Sequence, residues 1–241
     1  MSGEIDLEQQ LEELVLANRI LAHEGVIDVF GHVSLRHPQN PERFFLSRAR
    51  SPSLVERGDI MEFDLEGREV SDSGHRPYAE RFIHAAVYKV RPDVGGVTHH
   101  HAKAILPFTA SEARLRPINH TGAVIGAEVP RWDSLAAFGD TNMLVASQAM
   151  GAAVAEALGS GRYLLQRGHG AVCAAESVVA AVFVSVYMKE AAEVQLASQA
   201  LGGIEYLKPG EIELATKLQM SPMAMRRAWD YWKARAGYGG A

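Results

Sequence analysis

Three consecutive histidines close the run Val97-Thr98-His99-His100-His101. If residues 95–101 form a strand, side chains alternate between its faces, so His99 and His101 project to one side and His100 to the other. Two imidazoles on one face, two residues apart, have metal-ligand geometry, and Zn, Mn or Fe(II) takes histidine nitrogen readily. Such an ion wants a third or fourth protein ligand from elsewhere in the chain. His169, in the turn Arg167-Gly168-His169-Gly170, and Glu80 are the candidates. Without them the run is only a polar strand end, since histidine tracts bind metal where geometry cooperates.

The elements that must position these groups follow from periodicity. Asp6 can cap a first helix whose Leu7, Leu11, Leu14, Val15 and Leu21 recur at helical spacing, with Gly25 as its stop; this helix is expected to cover a sheet. Residues 29–36, 44–47 and 60–70 read as short strands, antiparallel neighbours, the last a hairpin turning at Asp64-Leu65-Glu66-Gly67. Between them runs the polar, basic loop Ser47-Arg48-Ala49-Arg50-Ser51-Pro52.

After Gly74-His75-Arg76-Pro77, residues 78–90 predict a helix with Phe82, Ala85, Ala86 and Val87 on its pattern, Glu80 in its first turn and His84 one turn on. Arg91-Pro92-Asp93 stops it before the histidine strand. A helix over 101–108 then leads to Arg116-Pro117-Ile118-Asn119-His120-Thr121-Gly122, a strand start or loop. Thr141 can cap a long helix rich in alanine and methionine that ends at Gly159-Ser160-Gly161. Residues 162–166 and 171–175 are short apolar strands, and the two glycines beside His169 let the backbone between them approach a site closely. Residues 176–201 form an apolar helix buried on most of its surface. The tail, 209–238, is helical and carries Trp229, Tyr231 and Trp232, which read as packing or interface residues.

With 241 residues, 47% apolar and 22% charged, the chain can bury a substantial core and reads as one domain over 1–241. A formal charge of −5 without long runs excludes disorder and a surface that tracks nucleic-acid phosphates. No segment approaches the roughly 18 apolar residues of a membrane span, and the acidic start MSGEIDLEQQ has no leader pattern. A soluble, unprocessed protein of the reducing cytoplasm is expected. The single cysteine, Cys173, has apolar neighbours and reads as a buried structural thiol.

The order of these motifs resembles the class II aldolase/adducin family: Gly31-His32-Val33-Ser34, then Glu80 in a segment ending Ala86-Val87-Tyr88 and Arg91-Pro92-Asp93, then His99-x-His101, then Gly168-His169-Gly170. The likeness covers residues 7–200. It implies an α/β fold, a three-layer α/β/α sandwich with a central, mainly antiparallel sheet, and a homotetramer with active sites at subunit interfaces. It also implies one divalent metal ion per subunit (Mn, Zn or Fe(II)), held by His99, His101 and His169. Glu80 matches the family's acid–base carboxylate, which can also approach the metal.

Departures from the sugar-phosphate aldolases point to the substrate. Those enzymes carry Gly-Asn-x-Ser where this chain has His32, a Thr-Gly pair near Ser47 and Arg48, and a Ser-Ser pair directly before the glutamate. Here Tyr78 and Ala79 precede Glu80, and His75, Arg76, Arg48 and Arg50 stand nearby. Guanidinium groups grip carboxylates in a bidentate way, so a small-molecule carboxylate replaces the phosphate. The phrases Phe30-Gly31-His32-Val33-Ser34, Phe45-Leu46-Ser47-Arg48 and Pro77-Tyr78-Ala79-Glu80-Arg81-Phe82 are similar to a branch that decarboxylates hydroxylated aromatic and pyridine dicarboxylates.

The resemblance thus implies a metal-dependent carbon–carbon lyase with Glu80 catalytic and Arg48, Arg76, His32, Ser47, His75 and His120 as candidates for substrate binding. His84 reads as a core or interface histidine or a further ligand, His100 as packing behind the ligands, and His120 as a turn, substrate or relay residue. His23 and His37 read as solvated. An aldolase acting on a non-phosphorylated hydroxy acid needs the same centre. Two histidines and a carboxylate also suit an Fe(II) oxygenase, whereas a non-enzymatic adducin-like module need not keep the ligands at all.

Overall fold

The computed structural model describes residues 7–238, so Asp6, the expected first cap, lies outside the described residues. Its strands are β1 (His32–Arg36), β2 (Arg43–Ser47), β3 (Ile60–Asp64), β4 (Gly96–His100), β5 (Arg131–Trp132), β6 (Tyr163–Gln166) and β7 (Gly170–Ala175). The helices are α1 (Leu7–His23), α2 (Arg81–Val90), α3 (Leu106–Ala110), α4 (Ser134–Phe138), α5 (Gln148–Leu158), α6 (Val178–Gln199), α7 (Pro209–Gln219) and α8 (Pro222–Arg235). All strands join one sheet in the order β3-β2-β1-β4-β7-β6-β5, antiparallel throughout except for the β5–β6 pair.

Alternation along the strands divides the apolar residues between two cores. Val33 and Leu35 of β1 join Leu11, Leu14 and Leu21 of α1, Phe183 of α6 and Trp229 and Trp232 of α8 on one side of the sheet. Phe44 and Leu46 of β2 and Val97 of β4 face the other way, onto Ile83 and Val87 of α2 and Val154 of α5. The sheet is thereby covered on both faces, as an α/β/α sandwich requires. None of the described helices is long and apolar enough to cross a membrane.

Local chemistry moves several expected boundaries. β1 begins at His32, not at residue 29. Gly31 sits at φ 104° and the Phe30 N–H bonds the Asp28 carboxylate, a turn that leaves Val29 and Phe30 exposed despite their strand propensity. The return arm of the 60–70 hairpin carries a single bridge, Phe63 to Glu69. Only Leu106–Ala110 is helical within 101–110, and 116–122 is a loop leading into a 3-10 turn over Thr121–Ile125. The helix before Gly159 starts late because Ser147, not Thr141, caps it: the Ser147 hydroxyl accepts the Met150 N–H, while that of Thr141 accepts the Met143 N–H in a loop. The tail breaks in two at Ser221-Pro222, where Ser221 caps a new helix and proline has no N–H to continue the old one. Trp229 and Trp232 are buried as packing residues; Tyr231 is exposed.

Candidate metal centre

β4 lies between β1 and β7, which sets His99 opposite His32 on one side and Val172 on the other. The His99 Nδ1–H donates to the Ala171 carbonyl at 3.1 Å, and a carbonyl can only accept. That bond orients the ring and points Nε2 at the Glu80 carboxylate, 3.4 Å away. His101 follows just past the strand, its ring 4.7 Å from that of His99. His169 arrives from the β6–β7 turn, with its ring 4.9 Å from His99 and 5.0 Å from His101. Glycine makes this approach possible: a Cβ at position 170 would fall 2.4 Å from the His100 carbonyl oxygen and 2.8 Å from the His101 ring. Gly168 turns the chain at φ 63°.

Glu80 stands directly before α2 rather than inside its first turn, and its side chain does not cap the helix. It reaches instead into the histidine group, with Oε1 3.8 Å from His169 Nε2 and accepting the Val145 N–H at 3.1 Å. One nitrogen or carboxylate oxygen from each of Glu80, His99, His101 and His169 lies within 4.8 Å of all the others. Three imidazoles and a carboxylate suit a borderline divalent ion, and the buried His99 Nε2 has no hydrogen-bond partner among the described residues. The residues present fit such an ion.

Electrostatics agree with ligand character. Burial alone raises the Glu80 carboxyl, but its attraction to His99 and a hydrogen bond with it, with further attraction to His32 and His169, outweigh burial and hold the group well below the usual carboxylate range. Burial, with the neighbouring His99, pushes His101 down to about 3 and His169 to about 4. A cation bound there would supply the positive charge that this ionised carboxylate attracts.

The other expected site residues are placed less uniformly. His32 is buried, its ring 5.2 Å from His99 and 4.6 Å from Tyr78, and Ser47 is buried beside Tyr78. Arg48 and Arg50 both donate to Asp59, so their charges are already paired. Arg76 and His75 lie exposed on the loop before α2, and the Arg76 guanidinium has no partner among the described residues. His120 is drawn to the tail, where its Nδ1 meets the Gln219 amide at 2.8 Å. No hydrogen bond or ring contact joins His75, Arg76 or His120 to the four clustered groups among the described residues.

Three contributors escaped the sequence reading. Val145 supplies a backbone N–H, for which a sequence has no residue signal. Loop 141–147 carries it over Glu80 and places Met143 at φ 65°, a conformation costly outside glycine. A cleft of about 510 Å³ opens beside His101, lined by Asp28, Ser51, Ser53 and the exposed Lys103. Lys103 follows the ligands by two residues, a spacing that could have marked it.

Comparison with known proteins accords with this geometry. Residues 12–196 match the class II aldolase and adducin N-terminal domain. The chain is 30% identical over 245 aligned residues to the decarboxylase TropJ of Talaromyces stipitatus, covering 92% of this chain and 91% of that one. It is 31% identical over 206 residues to a 3,4-dihydroxyphthalate decarboxylase of Arthrobacter keyseri, covering 80% and 79%. The solved L-fuculose 1-phosphate aldolase of Glaciozyma antarctica superposes with a TM-score of 0.78 over 96% of this chain and 91% of that one; at 22% identity this likeness concerns the fold alone. Because the matched span takes in Glu80, His99, His101 and His169 together with the strands and turn that assemble them, the chain belongs to the class II aldolase and adducin N-terminal domain family.

Proposed function

We propose that this protein is a metal-dependent carbon–carbon lyase that removes carbon dioxide from a hydroxylated aromatic or pyridine dicarboxylate. The observation that carries the reading is the convergence of Glu80, His99, His101 and His169 in a chain 30% identical to a decarboxylase over nearly its whole length. Decarboxylation leaves an electron pair on the ring carbon. A divalent ion held by His99, His101 and His169, with Glu80 alongside, would supply a Lewis acid to draw that charge off.

The chain's own groups account for the protons. Glu80 rests ionised, so it acts first as a base, taking the proton of the ring hydroxyl, and then returns it to the carbon that has lost carbon dioxide. The phenolate oxygen recovers a proton from solvent on release, and the reaction balances as one carboxylate and one proton giving one C–H bond and one carbon dioxide. Arg76, exposed and without a partner among the described residues, is available to grip a second carboxylate; Arg48 serves only if it leaves Asp59. Ser47, His75 and His120 remain substrate candidates in this reading, His120 while bonded to Gln219 of the tail. A homotetramer with sites at subunit interfaces belongs to the same proposal, supported by the exposed Val29 and Phe30 immediately ahead of His32.

The test is anaerobic carbon dioxide release by protein reconstituted with Mn, Zn or Fe(II), from a panel of ortho-hydroxylated aromatic and pyridine dicarboxylates. Aldehyde release from hydroxy acids and oxygen uptake are scored beside it. Metal-dependent carbon dioxide without oxygen is the expected result. Aldehyde alone would make the protein an aldolase, and oxygen consumption would make it an oxygenase.

A further inference from the structure

The face of the sheet that carries the metal ligands also buries a second polar array, which the proposed chemistry does not use. Ser34 of β1 and His84 and Tyr88 of α2 are closed off from solvent next to apolar Phe44, Val87 and Val97. His84 and Tyr88 share a helix face at i, i+4, and His32 and Ser34 share a strand face at i, i+2. Together they make one hydrogen-bonded line. Tyr88 Oη lies 2.8 Å from Ser34 Oγ, Ser34 Oγ 2.6 Å from His84 Nδ1, and His84 Nε2 2.7 Å from His32 Nδ1.

Such a line has a direction, because each contact holds one hydrogen. The Tyr88 hydroxyl oxygen also takes a bond from the Val97 backbone N–H, which can only donate, so the hydroxyl's own hydrogen goes to Ser34 Oγ. Ser34 then has one hydrogen and two acceptors to choose from: His84 Nδ1 at 2.6 Å and the Val97 carbonyl at 3.5 Å. The short contact is a full hydrogen bond and the long one is marginal. His84 Nδ1 is therefore an acceptor, His84 carries its hydrogen on Nε2, and that hydrogen is donated to His32 Nδ1. His32 is left with its own hydrogen on Nε2, on the far side of the ring, where no described residue accepts it.

We propose that Tyr88, Ser34 and His84 are positioning residues that hold His32 as the Nε2–H tautomer, so that it presents a hydrogen-bond donor to a substrate oxygen and no lone pair to the metal. The substrate half of this inference rests on the lyase reading; the tautomer half does not. It explains why His32, with its ring only 5.2 Å from that of His99, stays outside the ligand set. It also separates positioning from proton supply. Passing a proton outward along the whole line would leave a phenolate at Tyr88, and burial there pushes the phenol well above its ordinary range.

The experiment is a two-bond proton–nitrogen spectrum of histidine-labelled, zinc-loaded protein, with His32 and His84 assigned from His32→Gln and His84→Gln. Both rings are expected as Nε2–H. Ser34→Ala should return His32 to a mixture of tautomers and weaken binding of salicylate, a hydroxylated aromatic carboxylate, roughly tenfold, the scale of one hydrogen bond. Ser34→Thr, which keeps the hydroxyl, should restore both, and zinc affinity should hold in each. An Nδ1–H His32 in the unaltered protein would overturn the proposal. So would a Ser34→Ala variant with unchanged tautomer and salicylate affinity, or one whose defect is loss of zinc. Failure to release carbon dioxide from any dicarboxylate, with His32 still Nε2–H, would remove the decarboxylase reading and uphold the tautomer assignment.

Discussion

His99 and His100 are neighbours on one strand, both fully buried, and each carries a ring nitrogen with no hydrogen-bond partner among the described residues. They nevertheless belong to different parts of the molecule. The face of His99 brings in a carboxylate and two further imidazoles. On the face of His100, Nε2 meets the Cys173 sulfur at 3.5 Å, Cys173 leans on Met188, and Thr98 bonds Ser185 of α6. Burial pushes the Cys173 thiol up to about 12, so Cys173 rests as a neutral thiol. Residue type, burial and an unsatisfied nitrogen are common to both faces. What makes a site is convergence of several donors with a negative charge among them.

The sharpest way to break this contrast is to remove a converging ligand that the fold does not need. His169 sits in a turn, so His169→Ala should fold. Since loss of groups that merely support a ligand costs 10–100-fold in metal affinity, loss of the ligand should cost at least about 100-fold. Zinc binding by titration calorimetry reads this directly, and affinity within a few-fold of the unaltered protein would remove His169 from the centre. Next in size is Glu80→Gln, which keeps shape but cannot take a proton. Turnover should fall by about 10²- to 10⁴-fold with zinc still bound at one per chain. Unchanged turnover would take Glu80 out of the mechanism.

His100→Asn tests the opposite face. Zinc affinity should stay within about a factor of three, because no ligand is lost, while stability falls by about 1–3 kcal/mol from the altered buried packing. The pH dependence of the metal-free protein separates the two effects. Burial pushes His100 and His101 down to about 3 and His169 to about 4, from an unfolded value of 6.5. Below 6.5 the unfolded chain therefore binds protons that the folded chain refuses, so stability is full above that pH and falls as pH drops towards 4 and 3. Removing His100 takes one such group away, and the decline of the thermal midpoint with falling pH should be shallower in His100→Asn. An identical slope would contradict a buried, neutral His100.

How far the sequence reveals this arrangement depends on whether a feature is local. Alternation along one strand separates His99 from His100, and glycines on both sides of His169 announce a tight turn; both features are legible because their cause lies within a few residues. The two-core sheet is not: Val33 and Leu35 face one way and Phe44 and Leu46 the other only because the pairing of β1 with β2 sets Ser34 opposite Leu46. The rest comes from contacts between distant segments. Thr141 and Ser147 are equally good caps by type, and the loop that carries Val145 to Glu80 decides between them. Arg48 and Arg50 read as free cations until Asp59 is seen to bind both. His84 stands one turn beyond Glu80 on α2, yet it is paired with His32 across 52 residues.

The smallest expected effect sharpens the comparison most finely, because it alters the strand between two ligand-facing positions without touching either. Ser185 donates its hydrogen to the Ala181 carbonyl at 2.7 Å, so the Thr98 hydroxyl is the donor in the Thr98–Ser185 contact. Thr98→Val keeps the branched shape and removes that donor. Ser185 loses only a partner for a lone pair and keeps its own hydrogen bond, which puts the cost at the low end for a buried hydrogen bond, about 0.5–1 kcal/mol by denaturant unfolding. Zinc affinity should not change. A variant that loses metal along with this one hydroxyl would mean that the two faces of β4 are coupled through the backbone, and the division between a chemical face and a packing face would fail.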